Sequence, residues 1–122
     1  MLLQEKSKIA EVEGISKTKK QRICDFLQGA VYSWCKNRKD EWFAARDLLG
    51  GDNFYWEGTP LLALYKKHVK LGTSDPVGEA AKDAGWLLKH VLEKDKRRFH
   101  TKKVKVSRYA IRMYQWDGDS DY

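Results

Sequence analysis

Proline, cysteine and long apolar runs are all scarce in this chain of 122 residues, and each scarcity excludes a class of protein. No stretch approaches the roughly 20 apolar residues that a membrane-spanning helix needs, so no membrane association is predicted. Two prolines and the lack of a long polar tract argue against intrinsic disorder. The first eight residues become charged too early for a secretory signal, so we expect a cytoplasmic protein.

The few cysteines and histidines indicate neither a disulfide nor a metal site. Cys24 and Cys35 lie on one predicted helix, eleven positions apart. That spacing is about 16 Å of helical rise, far beyond the reach of a disulfide. The three histidines are scattered and no C-x-x-C pair is present, so no zinc site is expected.

No pattern typical of an active site is found either. Gly50 and Gly51 are not followed by Gly-Lys-Ser/Thr, which rules out a Walker phosphate-binding loop. The spacing of lysines and carboxylates matches no arrangement of nucleophile and base. We therefore predict a protein that is not an enzyme and that holds no cofactor.

Positive charge is concentrated near the C-terminus. The chain carries a net charge of +7, and the segment Lys89–Arg112 contains ten basic residues against two acidic ones. The rest of the chain has 14 basic and 15 acidic residues, so the whole positive excess belongs to this segment. Residues 96–112 contain no acid at all.

Apolar periodicity predicts a mainly helical body. A helix is expected from Thr18, in capping-box spacing with Gln21, to about Asn37. A very short strand at Trp42 and Phe43 then leads into a short helix that the Gly-Gly pair ends. Two further helices are predicted, one begun by Thr59 and Pro60 and ended by Gly72, and one over 76–94 with Asp75 as its cap.

Alternating residues after Asp95 predict two antiparallel strands, roughly 97–103 and 107–116. Helices followed by a two-stranded hairpin indicate an α+β, mainly α protein with the element order of a winged helix-turn-helix. We expect residues 1–16 to form an N-terminal arm, 17–116 a single domain, and 117–122 a flexible acidic tail. The tail is a candidate competitor for the basic hairpin.

Several local stretches resemble a known group of proteins. They are W-F-A-A-R-D-L-L-G-G, W-E-G-T-P-L-L-A-L-Y, G-W-L-L-K and D-K-R-R-F. Over roughly residues 40–116 the chain resembles small phage- and prophage-type proteins, and its helices and hairpin are similar to the winged-helix modules of some phage primases. The resemblance implies a winged-helix fold and a phage or prophage origin, hence a bacterial host cell. It implies no particular activity.

The basic segment is the candidate binding site. Its lysines and arginines suit backbone phosphates, whose neutralisation releases counterions and makes binding sensitive to salt. The alternative is a charged sheet edge that prevents aggregation, but such an edge usually mixes both signs. Duplex DNA is the expected partner, and the predicted contacts are Lys96, Arg97, Arg98, Lys102, Lys103, Lys105 and Arg108, with Lys82 and Lys89 on helix 76–94 as secondary contacts.

Two aromatic features have competing interpretations. Trp86 projects nearly opposite the apolar stripe of its helix, so it needs a partner surface, within the chain or outside it. Phe54, Tyr55 and Trp56 suit stacking on bases, although core packing is the commoner role.

An acidic protein partner and RNA remain alternatives to DNA, and monomer and homodimer are both open.

Overall fold

The computed structural model describes residues 11–51, 54–106 and 109–122. Its helices are α1 (Lys17–Asn37), α2 (Ala45–Leu48), α3 (Leu62–Lys70) and α4 (Pro76–Lys94). They are followed by the strands β1 (Arg97–Val106) and β2 (Tyr109–Ser120), which pair as an antiparallel hairpin. The chain is therefore α+β with a C-terminal hairpin, as predicted.

The first helix begins slightly earlier than the sequence predicts. The side chain of Ser16, which has an extended backbone, accepts a hydrogen bond from the Lys19 amide at 3.1 Å and caps α1. The capping box predicted for Thr18 and Gln21 is therefore wrong, because both residues lie inside the helix. Just before α1, Val12 is buried in the core.

The third helix begins later than predicted, whereas the fourth begins where predicted. The Thr59 and Pro60 carbonyls accept hydrogen bonds from amides three residues on, a tight turn that precedes α3. Thr59 Oγ1 accepts a hydrogen bond from the Leu61 amide instead of capping α3. In α4, Asp75 accepts a hydrogen bond from the Gly78 amide at 3.0 Å and Pro76 occupies the first turn, which confirms the predicted start.

The hairpin is longer than the alternation predicts. Strand β2 continues to Ser120, so four residues of the expected acidic tail are in the strand. Hydrogen bonds near its end, from Trp116 Nε1 to the Asp119 carbonyl and from the Asp119 amide to Asp117, hold this extension. Phe43 and Tyr114 exchange two backbone hydrogen bonds of 2.8 Å, so the very short strand predicted at Trp42 and Phe43 is reduced to one isolated bridge from Phe43 to β2.

The core joins the helices to the base of the hairpin. The apolar faces of α1 and α4 meet the aromatic rings of Phe43, Phe99 and Tyr114. The Phe43 ring centroid lies 6.2 Å from that of Phe99 and 5.9 Å from that of Tyr114. Beyond Thr101, the β1 side chains from Lys102 to Lys105 are exposed. The hairpin is thus fixed at its base and carries its lysines on its distal part.

The aromatic loop divides between core and solvent. Trp56 is buried, and the Phe54 ring packs between Trp56 and Tyr65 with centroid distances of 5.0 and 4.9 Å. The core interpretation is confirmed for these two rings. Tyr55, at 73% exposure, does not take part in the core.

Candidate nucleic-acid interface

The distal hairpin presents several cations together, and strand register decides which of them share a face. Lys103 pairs with Arg112, and Lys105 pairs with Ala110. Both pairs lie on the hairpin face that carries Phe99 and Tyr114, but further toward the tip, where the core has ended. Lys102 lies on the opposite face, with its ammonium 4.0 Å from the centroid of the Trp42 ring. Like charges directly opposite each other destabilise a strand pair. The pairing of Lys103 with Arg112 therefore lowers the stability of the hairpin.

Arg112 is a member of this cluster that the predicted contacts omitted. Its Nη1 donates a hydrogen bond of 3.2 Å to Thr101 Oγ1, two positions along the same face. The signal that identifies it is the pairing register, because Thr101 opposite Tyr114 places Arg112 opposite Lys103. The predicted strand boundaries were too loose to fix that register.

Lys89 requires a correction. It was predicted to contact phosphates from the exposed side of α4, but only 7% of the residue is accessible. Its ammonium lies 5.5 Å from the centroid of the Trp86 ring. Burial lowers the pKa of Lys89, and the charges of Arg112 and Lys103 lower it further, while Glu93 opposes them. Lys89 is thus a buried cation beside the Lys103–Arg112 pair, not a surface contact.

Trp86 packs within the chain. It is half-buried against the hydrophobic core, and one side of its ring faces the Lys89 ammonium. The helical projection correctly placed Trp86 outside the apolar stripe of α4. It could not predict which residues cover the side of the helix that carries Trp86. The structure therefore provides an intramolecular partner for the ring.

Arg97 also requires a correction, because it is an internal ion-pair partner and not a free phosphate contact. Its Nη1 lies 3.0 Å from both carboxylate oxygens of Asp95, and its side chain is 14% exposed. The guanidinium stacks near the rings of Tyr122, Trp116 and Tyr32 at 5.0, 5.8 and 5.9 Å. A buried carboxylate such as Asp95 needs this counter-charge.

Arg98 is neutralised by the end of β2. Its guanidinium forms an ion pair with Asp119, and Nε lies 3.9 Å from Asp117. Asp117 and Asp119 belong to the predicted acidic tail. The basic residue that they contact, Arg98, lies at the base of the hairpin. Lys96 is exposed, with its ammonium 6.0 Å from the Tyr122 ring centroid, and Arg108 lies outside the described residues. Among the described residues, carboxylates therefore pair with Arg97 and Arg98 at the base of the hairpin but with none of the lysines on its distal part.

On α4, the acids Glu79 and Asp83 are one helical turn apart but have different partners. Lys82 is exposed and lies 3.5 Å from Glu79. Asp83 instead accepts a hydrogen bond of 2.7 Å from the Lys67 ammonium and lies 2.8 Å from His68 Nε2. This cluster ties α3 to α4, and its carboxylate does not repel an anion approaching α4. No local pattern reveals it, since His68 and Asp83 are fifteen residues apart.

Among the residues described, no three His, Cys, Asp or Glu side chains are grouped to hold a metal ion. Within the same residues, no helix combines the length and apolar character that crossing a bilayer requires. No protein-family model, curated protein or solved structure matches the chain.

Proposed function

We propose that this protein is a winged-helix protein that binds duplex DNA through the distal part of its hairpin. The observation that carries the proposal is the set of exposed lysines on both faces of the distal hairpin. Lys103 and Lys105 share one face with Arg112, which is opposite Lys103, and Lys102 lies on the other face. Across the ranges 11–51, 54–106 and 109–122, no carboxylate forms an ion pair with these three lysines. Phosphates would supply the missing counter-charge.

The arrangement of elements supports this assignment. A short turn joins α3 to α4, and the contact between His68 of α3 and Asp83 of α4 holds the two helices together. The hairpin follows α4 directly. An isolated bridge from Phe43 to Tyr114 also ties the segment before α2 to β2. In helix-turn-helix proteins the second helix lies in the major groove. Here much of α4 is buried, so Lys82 and the N-terminal half of the helix would assist a wing that dominates binding.

Binding of this kind is electrostatic, and its salt dependence can be anticipated. Four cations that neutralise about four phosphates give a slope of log K against log salt of roughly −3 to −4. Affinity would then fall by about 100-fold between about 50 and 200 mM salt. We propose a role as a regulator or accessory factor in DNA transactions. The phage or prophage origin and the cytoplasmic location stay predictions.

Fluorescence anisotropy with a labelled random duplex of about 25 base pairs, titrated at several salt concentrations, tests the proposal. The variant Lys102→Gln/Lys103→Gln/Lys105→Gln is expected to reduce the salt slope by about 2 to 3. The matched control Lys17→Gln/Lys36→Gln/Lys94→Gln removes three charges from exposed helical positions elsewhere. An equal loss in the control, or no binding at low salt, would contradict the assignment.

One observation favours a second function, docking of an acidic protein. The hairpin face opposite Lys103 carries Val104, which is 37% exposed, paired with the half-buried Ile111. An apolar pair beside Lys102 suits a protein surface better than it suits phosphates. Retention of a host protein after nuclease treatment, lost in a Val104→Ser/Ile111→Ser variant, would support this function. Preference for single-stranded or hairpin RNA in the anisotropy assay would instead indicate an RNA partner.

A further inference from the structure

A groove on the helical body carries a second group of cations, away from the hairpin. It is an open groove between the start of α1 and α3, with a volume of about 420 Å³. Among the residues that the structure describes, its lining combines apolar side chains, such as Ile15, Pro60 and Ala63, with five cations, and it includes no carboxylate and no hairpin residue. The five cations are Lys19, Arg22, Lys66, Lys67 and Lys70.

Four of these cations have no carboxylate partner among residues 11–51, 54–106 and 109–122. Lys67 is paired with Asp83 at 2.7 Å. The other four are exposed, and within the described residues none of them forms an ion pair with a carboxylate. Each wall carries two of these cations on one face of a helix. On α1 they are Lys19 and Arg22, three residues apart, and on α3 they are Lys66 and Lys70, four residues apart. Such like-charge pairs destabilise a helix, and an anion between the walls would relieve both.

The groove is formed by the folded chain itself. Gly14 has φ +84°, a conformation that favours glycine, where the chain turns into α1. A Cβ at this position would lie 3.1 Å from Cδ of Lys67, so the turn packs closely on that side chain. Val12, buried two residues earlier, anchors the same segment in the core. The turn that leads into α1 is therefore packed against Lys67 of α3, which limits the backbone ordering that binding would require.

The dimensions and chemistry of the groove select a class of ligand. Its volume falls in the range of about 300–1,000 Å³ typical of small-molecule sites. Cations on two facing walls suit adjacent phosphate groups, and the apolar lining suits a flat, less polar part of the same molecule. We propose that this groove binds a small organic diphosphate of the size of a nucleoside diphosphate. The proposal does not depend on DNA binding by the hairpin.

Isothermal titration calorimetry on the full chain tests this site with three probes: ADP, inorganic pyrophosphate and adenosine. ADP and pyrophosphate are expected to bind and adenosine is not, because the phosphates supply the charge. The variants Lys66→Gln/Lys70→Gln and Lys19→Gln/Arg22→Gln each remove one wall, and each is expected to weaken binding by about tenfold or more. The control Lys36→Gln/Lys94→Gln loses the same charge elsewhere and should bind as the wild type does.

Three outcomes would overturn the proposal. The first is a lack of binding by both ADP and pyrophosphate. The second is an equal loss in the control variant, which would indicate non-specific attraction. The third is a loss of DNA affinity in the Lys66/Lys70 variant while neither small probe binds, which would make the groove part of a nucleic-acid surface. Thermal melts of all variants would show that each is folded, so that a loss of binding reports on the groove. Unchanged DNA affinity in the groove variants, with diphosphate binding lost, would establish two independent sites.

Discussion

Asp95 is expected to be the most consequential charged side chain for stability. It lies at the junction of α4 and β1, and its side chain is 0% exposed. Its oxygens accept hydrogen bonds from the Gln28 side chain at 2.8 Å, from the Arg97 amide at 2.8 Å and from the Tyr122 hydroxyl at 2.9 Å. Arg97 Nη1 contacts both oxygens at 3.0 Å. One carboxylate thus connects α1, the start of the hairpin and the end of the chain.

Replacing Asp95 by alanine would remove the carboxylate that pairs with the largely buried Arg97 guanidinium at 3.0 Å. Removing one partner of a buried ion pair destabilises a protein by about 3–5 kcal/mol. In a domain of this size, 1 kcal/mol shifts Tm by roughly 3–6 °C. We therefore expect the Tm of Asp95→Ala to fall by roughly 10–30 °C.

Thermal and urea unfolding followed by circular dichroism would measure the change. Asp119→Ala is the matched control, because it removes a carboxylate that pairs with Arg98 at a solvent-exposed position. Exposed pairs contribute about 0–1 kcal/mol, so the control should differ little from the wild type. A loss below about 1 kcal/mol in Asp95→Ala would refute the reasoning that this network fixes the hairpin to the helices.

Two other perturbations have defined outcomes. Gly14→Ala should destabilise the protein by about 1–2 kcal/mol, because φ is +84° and the added methyl meets Lys67, and urea unfolding would detect the change. Burial raises the pKa of Cys35 from 9.0 to about 11, although the charge of Arg97 opposes the shift. Between pH 9 and pH 11 the Cys35 thiol is therefore more protonated in the native state than in the unfolded state. The free energy of unfolding then decreases as the pH rises from 9 toward 11. Urea unfolding from pH 8 to 10.5 should show this fall in the wild type and a flatter dependence in Cys35→Ala; parallel curves would contradict it.

Local signals in the sequence were sufficient for several elements. Asp75 and Pro76 predicted the start of α4, and the apolar stripe of that helix is the centre of the core. The charge count located the basic segment, and alternation predicted the hairpin that carries it. Each of these features is encoded within about twenty residues, where propensity and periodicity act directly.

Tertiary contacts account for what the sequence did not reveal. The helical projection of Lys89 identifies its face of α4, but not the neighbours that bury it. Arg97 looked like any other cation of the basic run, since its partners Tyr32 and Tyr122 are distant in sequence. The groove cations were hidden because acids elsewhere in the same part of the chain balance their charge. Only folding separates the two signs in space.

The most direct test of the central claim is to map the DNA-binding surface on the protein. Backbone amide shifts of ¹⁵N-labelled protein, recorded as a random duplex is added at low salt, report which residues meet it. The account predicts the largest changes at Lys102–Lys105 and at Ala110–Arg112, with smaller ones near Lys82. Changes concentrated elsewhere, with the distal hairpin unaffected, would contradict it.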